Sequence, residues 1–102
     1  MYFGILKMEL DGETITDESY KHATNVCEKL KSRFKVLAKA YQPHSHELSL
    51  AIAVALFSKS EEKLNQSCHE ILNFVETTGL GRVLTEGILI DSLDAIETDE
   101  PF

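Results

Sequence analysis

The residues best suited to chemistry in this 102-residue chain are two histidines that flank one serine, in A-Y-Q-P-H-S-H-E-L, residues 40–48. In an extended chain His44 and His46 point the same way, as a pair of metal ligands would. An H-x-H pair supplies two ligands at most, and a closed zinc site needs four. No further His or Cys pair lies nearby at ligand spacing, and His22 and His69 stand singly on helical segments. Only a dimer that joined two such loops would complete a site. The expectation is a solvated turn holding no metal and no other cofactor.

The other chemical groups are similarly scattered. Cys27 and Cys68 form no C-x-x-C pair, and both fall on apolar helical stripes, so buried thiols are expected. G-L-G-R at residues 79–82 is too short for a phosphate loop and lacks its lysine. The carboxylates sit at caps, turns and the tail. No catalytic constellation can be assembled from spacing, so the expectation is a protein that is not an enzyme and has no evident small-molecule substrate. Lys29, Lys31, Arg33, Lys35 and Lys39 hold half of the ten bases and could meet phosphates of RNA. Charge at a helix C-terminus, together with a solvated strand, explains them more simply. Strands that read RNA carry stacking aromatics, and the third apolar run offers alanines instead.

The elements that must position these groups follow from periodicity. Leu6, Met8 and Leu10 alternate with Lys7 and Glu9, the pattern of a half-buried strand. Tyr20, Ala23, Cys27, Leu30 and Phe34 step at helical spacing behind an N-cap at Thr16 or Asp17. Residues 34–41 alternate again, with Val36, Ala38 and Ala40 on one side. In residues 48–58 Leu48, Leu50, Ile52, Val54 and Leu56 take one face and small residues most of the other. Ser60 caps a second helix, whose stripe is Leu64, Cys68, Ile71, Leu72 and Val75. Gly79 is a stop signal, and residues 82–90 read as a fourth strand, bulged at Gly87.

The order β-α-β-β-α-β predicts an α+β, ferredoxin-like fold: a four-stranded antiparallel sheet with both helices on one face. Residues 1–92 form the single domain, and residues 93–102 are an acidic tail expected to fray. Six of the seventeen acids lie beyond residue 82, so the net charge of −7 belongs mostly to the C-terminal end. No segment reads as a signal peptide or a membrane span, and a cytoplasmic protein is expected. If the helices cover one side of the sheet, the other shows Phe3, Ile5, Leu37, Tyr41, Ala51, Ala53, Ala55 and Phe57. An apolar surface of that extent marks an interface, and a homodimer is its simplest use.

The runs R-F-K-V-L-A-K-A-Y, L-A-I-A-V-A-L-F-S and I-L-N-F-V-E, with the opening M-Y-F-G, resemble the YlxP-like proteins, small bacterial proteins of a domain-of-unknown-function family. The likeness spans nearly the whole chain. It implies a ferredoxin-like fold and a ribosome- or RNA-associated accessory role in translation or ribosome maturation. The chain departs from that family at Ile15–Tyr20, where the family's basic segment has no base here, and in having no Trp.

Overall fold

The computed structural model describes residues 1–11, 17–42, 50–78 and 82–92. The elements are β1 (Tyr2–Asp11), α1 (Asp17–Phe34), β2 (Leu37–Tyr41), β3 (Leu50–Ser58), α2 (Glu61–Thr77) and β4 (Arg82–Ser92). The strands form one sheet in the order β2-β3-β1-β4, and every neighbouring pair is antiparallel. Helix α1 lies against β2 and β3, and α2 against β1, β3 and β4. The arrangement is the expected ferredoxin-like one, with the core between the helices and one face of the sheet.

The alternation read from sequence is what separates the two faces. Leu6, Met8 and Leu10 point into the core, as do Leu50, Ile52, Val54 and Leu56 from β3 and Ala38 and Ala40 from β2. The helices answer with Ala23, Val26, Cys27 and Leu30 from α1 and Leu64, Cys68, Ile71, Leu72 and Val75 from α2. Each large aliphatic in this layer contributes roughly 1.5–3 kcal/mol by leaving water. Val26 is a core residue outside the predicted stripe. Tyr20 lies at the stripe's outer end, 43% exposed, and its hydroxyl donates to the Ala40 carbonyl at 3.2 Å. That bond ties the start of α1 to the edge strand β2.

The caps explain where the elements begin and end. Ser60 is the N-cap of α2, and its side chain accepts from the Lys63 amide. Helix α1 runs to Phe34, the first residue of the stretch expected to be strand. Lys35 then takes φ 56°, a left-handed turn that terminates the helix, and β2 starts only at Leu37. The irregularity in β4 is also displaced from the expected position. The register with β1 shifts between Glu9 and Leu10, opposite Thr85 and Val83, while Gly87 pairs regularly with Lys7. The expected stop at Gly79 and the tail 93–102 lie outside the described residues.

Gly4 supplies a close approach. A Cβ there would stand 3.0 Å from Leu64 Cδ2, so the glycine lets α2 sit tightly on β1. Gly4→Val is expected to overpack this contact and cost about 1–3 kcal/mol, measured as a lower midpoint of urea unfolding. An unchanged midpoint would show that the helix does not rest on the strand at this point.

Candidate functional site

Three places collect chemically distinctive side chains. The first is the sheet face turned away from the helices. The ladders place Phe57 and Asp91 on either side of Phe3, and Ala55 and Leu89 on either side of Ile5. On the far side of β3, Leu37 neighbours Ala55, Lys39 neighbours Ala53 and Tyr41 neighbours Ala51. Side chains of directly paired residues share a face, so all eight residues predicted for this surface lie on it together.

Four cross-strand rows result. Leu37, Ala55, Ile5 and Leu89 make an unbroken apolar row across all four strands. The next row, Lys39, Ala53, Lys7 and Gly87, is flanked by two ammonium groups that make no ion pair with any described residue. Leu37 is 68% exposed, Phe57 62% and Leu89 57%, values that belong to an unfinished surface. Ala53 and Ala55 are half-buried, and with Ile5, Leu37 and Lys39 they line a shallow depression of ≈ 250 Å³. Ala51 corrects one expectation: it occupies the face but is 0% exposed, closed in between Glu9 and Tyr41 in the ladder.

On β4, Gly87, Leu89 and Asp91 join the surface beyond the eight residues expected from sequence. The parity of β4 alone would place them together, but which parity faces outward depends on the register with β1. The shift near Glu9 obscures that register.

The second place is a groove on the helical side. Phe34 and Phe74 meet edge to face at 5.8 Å between centroids. The Arg33 guanidinium lies 5.1 Å from the Phe74 centroid and 5.8 Å from that of Phe34. Glu70, Asn73 and Thr77 complete a groove of ≈ 390 Å³. Its aromatic floor finishes the contact between the two helices, and the arginine covers the rings as a cation over π-faces does.

The third is the basic cluster, and the structure does not assemble it. Lys29, Lys31 and Arg33 lie on the exposed side of α1, and Lys31 is paired with Glu28 at 3.1 Å. Arg33 is committed to the phenylalanines. Lys39 projects from the opposite side of the sheet, and Lys35 occupies the turn between α1 and β2. These five residues form no continuous track for a phosphate backbone. His44 and His46 lie outside the described residues. Among the described residues no group of three or more His, Cys, Asp or Glu is placed to hold a metal ion.

Cys27 and Cys68 are both free and buried. Burial pushes both thiols above the ordinary range. Glu28 adds to the effect at Cys27, and Lys31 opposes it. Nucleophilic thiolate is therefore suppressed. Both cysteines are expected to resist a thiol reagent at pH 8 in the folded protein and to react at once in denaturant. Fast modification of either in the native state would contradict this placement.

No family model and no curated protein matches the sequence. Solved structures with this fold do match. One is an antibiotic biosynthesis monooxygenase, with TM-score 0.54 and 9% identity over 90% of this chain and 97% of that one. Another is a dimeric ferredoxin-like protein of unknown function from Thermobifida fusca YX, with TM-score 0.52 and 9% identity over 90% and 91%. At such identity the likeness concerns the fold: this chain is a ferredoxin-like α+β protein. No described helix is long and apolar enough to cross a membrane.

Proposed function

We propose that the protein is a non-enzymatic interaction module that assembles with itself through the uncovered face of its sheet. One observation carries the reading. Leu37, Ile5 and Leu89, each at least 38% exposed, line up across the sheet on the side the helices leave bare. Water against that row is costly, at roughly 25 cal/mol per Å² of apolar surface. A second apolar layer removes the cost. The small side chains of Ala53, Ala55 and Gly87 allow that layer to come close. The ferredoxin-like neighbour from Thermobifida fusca is dimeric, which supports self-association on this fold.

Binding rather than catalysis is favoured by what surrounds the face. The described titratable groups on it are not gathered at one point: Ala53 separates Lys39 from Lys7, Ala51 separates Tyr41 from Glu9, and Asp91 stands beside Phe3. The RNA-associated role implied by the family resemblance finds less support, because the basic residues are divided between two sides of the molecule.

Sedimentation of the wild-type chain at tens of micromolar is expected to give a dimer. Ala55→Asp puts a carboxylate into the apolar row between Leu37 and Ile5, where association would desolvate it. That variant is expected to sediment as a folded monomer. A wild-type monomer, or an Ala55→Asp dimer of unchanged affinity, would contradict the proposal.

A further inference from the structure

The shape of the bare face specifies how two copies meet, and not only that they do. Column by column along the strands, the face alternates between ridge and furrow. On β1 it carries Phe3, Ile5, Lys7 and Glu9, a ridge of large side chains. On β3, immediately beside it, it carries Ala55, Ala53 and Ala51, a furrow closed at one end by Phe57. On β4, Gly87 leaves a gap, and a Cβ built there meets nothing within 4 Å.

Two faces stacked about a two-fold axis can be related in two simple ways. With the axis across the strands, β1 faces β1 and β3 faces β3. Ridge then meets ridge, and the two alanine furrows enclose a void, which close-packed interfaces do not tolerate. With the axis parallel to the strands and midway between β1 and β3, β1 faces the partner's β3 and β2 faces the partner's β4. Ridge then enters furrow twice, once from each copy. Ile5 meets Ala55, Lys7 meets Ala53, Leu37 meets Leu89, and Lys39 passes over the gap at Gly87, while at the end of the face, where Phe57 closes the furrow, Phe3 meets Phe57 ring to ring.

From this self-complementarity we infer that the protein forms a face-to-face dimer whose two-fold axis runs along the strands between β1 and β3. The inference rests on the self-association proposed above and adds its geometry. The area is sufficient. A face four strands wide, with strands about 4.8 Å apart, and some eight residues long, at about 3.3 Å each, presents roughly 500 Å² per copy. The pair therefore reaches about 1,000 Å², where specific interfaces begin. Aligned sheets cross at about −30°, so the row matching is tightest at the centre and loosens toward the ends. The lysine row is the unfavourable element, since Lys7 approaches the partner's lysines. Glu9, one row along, supplies opposite charge, and Lys39 lies on an edge strand from which its ammonium reaches solvent.

Crosslinking tests the axis. Leu37 and Leu89 lie three strand spacings apart in one chain, about 14 Å, whereas the dimer puts each opposite the other across roughly 10 Å of packed sheets. A short bismaleimide matched to that gap is added to Leu37→Cys, to Leu89→Cys, to an equimolar mixture of the two, and to wild type as the blank for its buried cysteines. The expected result is a covalent dimer in the mixture, at least fivefold above either variant alone. Lys39→Cys mixed with Gly87→Cys is expected to behave the same way and serves if the leucine variants associate poorly. Self-crosslinking of Leu37→Cys alone would overturn the inferred axis in favour of the strand-perpendicular one. So would failure of both mixtures while wild type still sediments as a dimer. Sedimentation of wild type as a monomer would instead remove the self-association reading itself.

Discussion

Two helices of seventeen or eighteen residues can roof one side of a four-stranded sheet, and in this chain that is all they do. The constraint comes from the crossover connections. Each β-α-β unit sends its helix over the same side, so the large aliphatics on that side are enclosed except at the β4 edge, where Ile88 stays 38% exposed, and the side chains on the reverse point away from the helices. The buried side is finished. No described side-chain nitrogen or oxygen is buried without a hydrogen-bond partner, and Leu6, Met8, Ile52, Leu64 and Ile71 are fully enclosed. The reverse carries the unresolved apolar surface, and the functional reading follows from that asymmetry.

The reverse is also not polar in the way a solvated antiparallel sheet is. Such a sheet alternates apolar inward with polar outward. Along β1 the outward positions begin with Phe3 and Ile5 before Lys7 and Glu9. Along β3 they are alanines and Phe57. The cations that occur there, Lys7 and Lys39, sit in a single row, with Glu9 one row along and Asp91 beside Phe3. The helical side shows the contrast: Phe34 and Phe74 form a half-buried aromatic contact that the chain has covered with one of its own cations, Arg33.

Much of this was legible in the sequence, for a physical reason. A period of two in β1 and β3 and a period near 3.6 in α2 separate inside from outside without further information, so the fold, the core and eight members of the bare face follow from pattern alone. The misses have equally specific causes. Phe34–Lys35–Val36–Leu37 suits a helix end or a strand start equally well, and the left-handed turn at Lys35 decides it from outside the pattern. Gly87 resembled a bulge because glycine weakens a strand, whereas the shift opposite Glu9 is a property of pairing between two strands. Leu89 and Gly87 join the surface through that same pairing, and one strand read alone cannot reveal it. The dispersal of Lys29, Lys31, Arg33, Lys35 and Lys39 was hidden because closeness in sequence is not closeness in space across a helix end.

The most direct measurement is the accessibility of the outward leucines in solution. Leu37 and Leu89 methyl signals, recorded by NMR at about 100 μM with a soluble paramagnetic agent, report whether something covers the reverse of the sheet. The account predicts that both signals stay sharp, shielded almost as well as those of Leu64 and Ile71. Broadening of Leu37 and Leu89 to the extent of freely exposed side chains would show the face bare in solution and contradict the account.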